Sequence, residues 1–117
     1  MVNNYKEKKL RAYLDKFIPT LSEDWITPLN PDNVEIVFKD MGEFAIAMLV
    51  GQKVILNNQY QANELFSSLV HELWHLKQKR EAPVRYYIFK MPFFRDKIEK
   101  TAEEWEAIAE DWIYMNK

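Results

Sequence analysis

The stretch LVHELWHLKQ, residues 69–78, contains both histidines of the sequence. It is therefore the part of the chain from which both the fold and the functional site are best predicted. His71 and His75 are four positions apart, with Glu72 between them. In an α-helix, side chains at that spacing leave the same face, with β-carbons about 5–6 Å apart. Two imidazoles in that position can bind one zinc ion at about 2.0–2.1 Å. The stretch therefore predicts a metal-binding helix.

The residues around the histidines predict a long amphipathic helix that ends near Arg80. Asn58 and Gln61, three positions later, resemble a capping box at its start. The apolar side chains gather on one side of a helical wheel, and they are Ala62, Leu65, Phe66, Leu69, Leu73 and Leu76. The two histidines fall on the opposite, polar side. This position favours a metal site over a pair of core histidines, and the plainer alternative is two surface histidines.

Size and composition indicate one globular domain over residues 1–117. The chain is 48% hydrophobic and 29% charged, as in folded proteins rather than disordered ones. Its net charge of −2 gives no general reason to expect nucleic acid or an anionic membrane as a partner. No window approaches the roughly 18 consecutive apolar residues of a membrane span, and the first residues lack a secretion-signal pattern. We expect a cytoplasmic protein.

Three short apolar runs predict a small sheet. They lie at residues 34–38, 43–50 and 53–56 and are rich in β-branched side chains. Gly51 and Gln52 form a two-residue loop that suits a tight hairpin, so the second and third strands should pair antiparallel. A three-stranded meander is the simplest sheet that these runs can form, although a mixed sheet is also compatible with them.

Two further helices complete an α+β fold. Residues 4–17 have an amphipathic pattern that Pro19 ends. Residues 20–33 are rich in turn-forming side chains and indicate an irregular connection, with Trp25 as its anchor. The last helix runs from about residue 94 to about residue 114, and its expected core stripe is Ile98, Trp105, Ile108, Ala109 and Trp112.

Cysteine is absent from the chain. Its absence removes disulfides, thiolate metal ligands and a cysteine nucleophile. A zinc ion held by His71 and His75 would lower the pKa of a bound water towards about 7. Glu72 lies one position after His71, close enough to take the proton of that water as a general base while leaving the metal to the histidines.

The segment HELWH resembles the active-site helix of the zincin metallopeptidases, which carry the pattern HExxH. The resemblance extends over about residues 34–112, but only His71, Glu72 and His75 match specifically. It implies a zinc cofactor and hydrolysis of peptide bonds in a peptide or protein substrate. It also implies that KVILN, residues 53–57, is an edge strand along which an extended substrate pairs through its main chain.

The resemblance narrows to the gluzincin branch, because the metzincin pattern HExxHxxGxxH is not met. Gln78 and Glu81 stand where that pattern requires glycine and histidine. Small gluzincins, including the ImmA/IrrE type and the minigluzincins, carry the third metal ligand as a glutamate in an E-x-x-A motif on a later helix. Glu99-Lys100-Thr101-Ala102 matches this motif. The resemblance therefore implies Glu99 as the third ligand.

Other glutamates of the last helix compete for this role. Glu104 and Glu106 also begin an E-x-x-A pattern, and Glu106 lies two turns beyond Glu99 on nearly the same face. Glu103, one turn beyond Glu99, could orient a ligand histidine through its second nitrogen. An oxyanion would be stabilised by the zinc ion alone or by one of four residues, and none is assigned: Arg85, Tyr86, Tyr87 and Arg95.

Two other functions are compatible with the same residues. A zincin-like domain without turnover could serve as a metal-binding or partner-binding regulatory module. A DNA-associated metalloprotease of the SprT type is the third alternative, which the net charge of −2 argues against.

Overall fold

The computed structural model describes residues 4–20, 34–43, 45–81 and 95–116. In order along the chain, the elements are α1 (Asn4–Phe17), a 3-10 turn (Ile18–Thr20), β1 (Glu35–Lys39), β2 (Ala47–Val50), β3 (Lys53–Asn57), α2 (Ala62–Glu81) and α3 (Arg95–Asn116). Three helices and a three-stranded sheet in this part of the chain confirm the predicted α+β class. The proposed anchor Trp25 and the oxyanion candidates Arg85, Tyr86 and Tyr87 lie outside the described residues, as do the side chains of Arg95 and Ile98.

The sheet is mixed, with strand order β1–β3–β2. β2 pairs antiparallel with β3, which confirms the predicted hairpin. Gly51 in the connecting turn has a φ of 63°, a left-handed conformation that glycine adopts without the strain of a side chain. β1 pairs parallel with β3, so the expected meander is wrong.

Burial explains why β3 takes the central place. Four of the five residues of β3 are buried, whereas β2 has none that are fully buried. A strand with apolar residues on both faces is most stable when other strands and helices cover it on every side. The run KVILN is therefore a central strand, and the expectation that it forms the substrate edge is wrong. Among the described strands, β1 and β2 are the edges.

Helix α2 begins at Ala62, later than the sequence predicted, because its cap is Gln61 and not Asn58. The backbone N–H of Gln61 donates to the Glu64 carboxylate at 2.9 Å, which is the glutamate half of a capping box. The carbonyl of Gln61 accepts the N–H groups of Glu64 and Leu65, both at 3.0 Å. Asn58 lies in the preceding turn, where its carbonyl accepts the Lys6 ammonium at 2.7 Å.

The core lies between one face of the sheet and the three described helices. The predicted stripe of α2 is confirmed, since none of its six residues is more than 3% exposed. Phe17 of α1, Phe66 of α2 and Trp112 of α3 meet with ring centroids 5.4 Å apart in each pair. Phe17 and Phe66 are buried and Trp112 is partly buried, and full burial of a large apolar side chain stabilises a fold by about 1.5–3 kcal/mol.

The buried face of α3 differs from the predicted stripe. Ile108 is 46% exposed, so its assignment to the core is wrong, while Ala109 is fully buried as expected. Ala102 and Ile113 are also buried. Residues 102, 109 and 113 follow the seven-and-four spacing of one helix face, and residue 108 lies about 100° away from residue 109. Small side chains at 102 and 109 let α3 approach α2 closely.

Candidate metal centre

Three side chains from α2 and α3 converge at one point. The Nε2 atoms of His71 and His75 are 3.1 Å apart. The Glu99 carboxylate reaches both rings, with Oε2 at 3.4 Å from Nε2 of His71 and Oε1 at 3.0 Å from Nε2 of His75. Within the described ranges this is the one group of three or more histidine, aspartate or glutamate side chains close enough to hold a metal ion.

The spacing of these atoms fits a small tetrahedral cation. Bonds of about 2.0–2.1 Å to a tetrahedral zinc ion place the ligand atoms about 3.3–3.4 Å from one another. The two Nε2 atoms are 3.1 Å apart, and each has one Glu99 oxygen within 3.4 Å, Oε2 for His71 and Oε1 for His75, which is close to that value. Two imidazoles and one carboxylate are the protein ligands of many catalytic zinc sites, in which the fourth ligand is water or substrate. Magnesium and calcium ions, in contrast, prefer oxygen ligands alone.

The outer nitrogen of each histidine faces an acceptor. Nδ1 of His71 lies 2.6 Å from Oε1 of Glu106, and Nδ1 of His75 lies 3.1 Å from Oε1 of Gln78. A carboxylate or amide oxygen cannot donate, so Nδ1 carries the proton in each neutral ring. Both Nε2 lone pairs then point into the space that Glu99 closes. Three acceptors facing each other favour a bound cation between them.

The position of Glu106 does not match the role of third metal ligand, for which the sequence made it an alternative to Glu99. Its carboxylate contacts the outer nitrogen of His71, not the side on which the Nε2 atoms meet. Glu106 can therefore orient His71 through its second nitrogen, which is the role that the sequence predicted for Glu103. Glu103 and Glu104 are exposed. Seven positions bring a helix within about 20° of the same direction, so Glu99 and Glu106 both face α2.

His75 is the more deeply placed of the two histidines, with 6% of its surface exposed. Burial lowers the pKa of His75, and the nearby His71 acts in the same direction, while the charge of Glu99 and the hydrogen bonds of His75 to Gln78 and Glu99 oppose them. A lowered pKa keeps the imidazole neutral at neutral pH, so its Nε2 lone pair is available to a metal.

Glu72 lies beside the three converging side chains without joining them. Burial raises the pKa of the Glu72 carboxyl to about 6; His71 lowers it, and the charges of Glu99 and Glu106 raise it further. A carboxyl group with a pKa near neutrality can both take and return a proton at physiological pH.

A cavity of about 180 Å³ opens next to Glu72. It is lined by Ile46, Ala47, Ser68, His71, Glu72 and Glu106. Ile46 and Ala47 bring the start of β2 to the metal centre, and sequence reasoning assigned neither of them to the site. Ser68 lies three residues before His71 and Gln78 three residues after His75. In a helix this spacing brings side chains together, so it is the sequence signal by which both residues could have been found.

Comparisons of the chain with models of protein families, with curated proteins and with solved structures found no match. None of the described helices is both long and apolar enough to cross a membrane. The function is therefore argued from the geometry of the site.

Proposed function

We propose that this chain is a zinc-dependent metallopeptidase of the gluzincin type. The observation that carries the proposal is the convergence of His71, His75 and Glu99, with Glu72 beside them at the edge of a cavity. A zinc ion held there would act as a Lewis acid on the substrate carbonyl and on a water molecule in its open coordination position. The proposed compartment is the cytoplasm, as expected from the sequence.

Each residue of the centre has a separate task. The two Nε2 atoms and the Glu99 carboxylate would hold the metal, and Glu106 and Gln78 hold the imidazole rings through their Nδ1–H groups. Glu72 takes the proton from the attacking water as the bond to the carbonyl carbon forms. It then delivers that proton to the nitrogen of the scissile amide as this bond breaks, and the carboxylate is regenerated.

The substrate is proposed to be an extended peptide segment that lies along β2. This strand is an edge of the described sheet, and its first residue, Ala47, lines the cavity together with Ile46. An extended chain can add to such an edge through main-chain hydrogen bonds, which brings its carbonyl groups past Glu72. Main-chain pairing selects for an unfolded or extended segment more than for a particular side chain.

The metal part of the proposal is tested by elemental analysis of the purified protein after dialysis. Wild type is expected to retain one zinc ion per chain, a stoichiometry that follows from a single three-ligand site. His71→Ala and Glu99→Ala should lose the ion, and Glu104→Ala, an exposed glutamate of the same helix, is the matched control. Zinc that survives Glu99→Ala but is lost with Glu106→Ala would transfer the ligand role to Glu106.

The catalytic part is tested with an internally quenched peptide library of randomised sequence. Wild type should cleave members of the library, a chelator should stop cleavage, and added zinc should restore it. Glu72→Gln should retain zinc but lose roughly a hundred-fold to ten-thousand-fold in rate, the usual contribution of a general base. Zinc retention with no cleavage, unaffected by Glu72→Gln, would instead favour a non-catalytic regulatory module.

A further inference from the structure

Asn57, the last residue of β3, is a fully buried polar side chain that follows three buried apolar residues, Val54 to Leu56. Its Nδ2 group donates to the carbonyls of Gly42 and Ala45, both at 2.9 Å. Its Oδ1 atom accepts the backbone N–H of Gln59 at 3.1 Å, and the N–H of Met41 approaches to 3.4 Å. Both donors and the acceptor of this amide are therefore in use.

The hydrogen bonds of Asn57 hold the segment that leads into β2. Its backbone N–H donates to the carbonyl of Ile46 at 2.8 Å, so residues 42, 45 and 46 are all held by one asparagine. Ile46 and the next residue, Ala47, form part of the wall of the cavity that Glu72 also lines. Asn57, at the buried end of β3, therefore helps to fix the position of that wall relative to the metal centre.

The chemistry at this position suits asparagine alone among side chains of its size. Aspartate would keep the acceptor for Gln59 but would present an oxygen to the carbonyls of Gly42 and Ala45. A leucine of similar volume would leave both carbonyls without this donor. A buried carbonyl without a donor is costly, so the segment would move until water or another group reached it.

We propose that Asn57 is a positioning residue that sets the affinity for the peptide substrate by fixing Ile46 and Ala47 beside the metal centre. The proposal rests on the proposed peptidase function. Asn57 touches neither the metal ligands nor Glu72, because its partners all lie in the turns at the ends of the strands. Its loss should therefore weaken substrate binding while leaving the chemical step and the zinc site intact.

The experiment compares KM, kcat and zinc content in the full chain for Asn57→Asp and Gly42→Ala. Gly42 has a φ of 54° and open space around its missing side chain, so Gly42→Ala strains the held segment without disturbing the core. Asn58→Ala is the neighbouring asparagine control, and Leu14→Ala is a core control in α1 that lowers stability away from the cavity. The substrate is the library peptide that wild type cleaves fastest.

Asn57→Asp should raise KM by roughly five-fold or more, the factor expected when a buried hydrogen bond is lost, with kcat and zinc content unchanged. Gly42→Ala should raise KM in the same way because it strains the segment that Asn57 holds. The two controls should keep the wild-type KM even where they lower the melting temperature. An unchanged KM in both test variants, a fall in kcat or zinc content in its place, or an equal rise in Leu14→Ala would overturn the proposal.

Failure of the peptidase function is distinguished by measuring binding without cleavage. Reduced, carboxymethylated casein serves as an unfolded probe, and its affinity is measured by fluorescence anisotropy for wild type and each variant. If wild type binds but does not cleave it, weaker binding in Asn57→Asp supports the positioning role while the peptidase proposal fails. If wild type neither cleaves the library nor binds the casein, both proposals are wrong.

Discussion

The two histidines of the metal centre are held by acceptors of different charge. His71 donates through Nδ1 to the Glu106 carboxylate at 2.6 Å, and His75 donates to the neutral amide oxygen of Gln78 at 3.1 Å. A carboxylate partner makes the imidazole a better electron donor to a metal than an amide does, and it holds the ring more firmly. The contribution of each acceptor to metal affinity should therefore differ.

Replacing Glu106 with alanine should weaken zinc binding by about 10-fold to 100-fold, the usual effect of removing a partner of a ligand histidine. Gln78→Ala should have a smaller effect in the same direction, because its hydrogen bond is longer and uncharged. Competition with a chromophoric chelator measures both affinities. Glu103→Ala is the control from the same helix, and equal affinities for all three variants would rule out the orienting role of Glu106.

The raised pKa of Glu72 makes a prediction about stability and pH in the metal-free protein. The pKa is about 6 in the folded chain against 4.5 for a glutamate in an unfolded chain, so the folded state binds this proton more tightly than the unfolded state. As pH rises from 4.5 to about 6, ionisation of Glu72 therefore lowers the free energy of unfolding. The loss is complete above about pH 6 and amounts to about 2 kcal/mol.

Glu72→Gln removes this ionisation. The variant should be more stable than wild type by about 2 kcal/mol at pH 7.5, and the difference should shrink towards zero below pH 4.5. Urea denaturation in the presence of a chelator measures it, and Glu104→Gln serves as the exposed control. A difference that is constant across this range would mean that burial does not raise the pKa of Glu72.

At the scale of elements, the approach of α3 to α2 depends on two alanines. Ala102 and Ala109 are fully buried, and Ala102 follows the proposed ligand Glu99 by three positions. Because both alanines are fully buried, a larger side chain at either position is expected to push α3 outward and draw the Glu99 carboxylate away from the two imidazoles. The metal site is therefore coupled to the packing of this helix pair.

Ala102→Leu should lower the free energy of unfolding by about 1–3 kcal/mol, the usual effect of overpacking a filled core. It should also weaken zinc binding, since the ligand carboxylate moves with its helix. Ala107→Leu, at an exposed position of α3, should change neither quantity. Denaturation and chelator competition on both variants give the two readouts, and a destabilised Ala102→Leu with wild-type zinc affinity would contradict the coupling.

The elements that the sequence predicted well are those whose signal is local. Periodic apolar residues defined α1 and the buried stripe of α2, because each lies against the core along its length. The start of α2 was misplaced because Asn58 satisfied the same capping pattern as Gln61. Ile108 was wrongly assigned to the core, because the sequence does not show which of the two neighbouring apolar residues, Ile108 or Ala109, faces α2.

At the scale of the whole molecule, the site is assembled from distant parts of the chain. The order HELWH predicted His71 and His75 because one helix positions both, and the similarity to gluzincins added Glu99. The strand order could not be predicted from the sequence, because no local sequence pattern shows that β1 pairs parallel with β3 and leaves β2 at the edge. The cavity wall and the position of Glu106 follow from that packing and not from any motif.

A metal that joins α2 to α3 should stabilise the whole fold. Zinc that binds the folded chain and not the unfolded chain raises the free energy of unfolding by about 4 kcal/mol at a free concentration 1,000 times its dissociation constant. Removing zinc should therefore lower the melting temperature, and adding it back should restore the loss. The ring centroids of Trp74 on α2 and Trp105 on α3 are 5.2 Å apart, so these two of the four tryptophans make the fluorescence signal sensitive to this helix pair during the melt.

His75→Ala separates this effect from zinc bound elsewhere. The variant lacks one ligand of the centre, so its melting temperature should be independent of zinc, while the exposed-residue variant Glu104→Ala should respond as wild type does. The tryptophan signal of wild type should change on zinc addition even below the melting range, because the ion draws the two helices together at Glu99. An equal zinc-dependent shift in His75→Ala would mean that the stabilising ion binds outside the three-ligand centre.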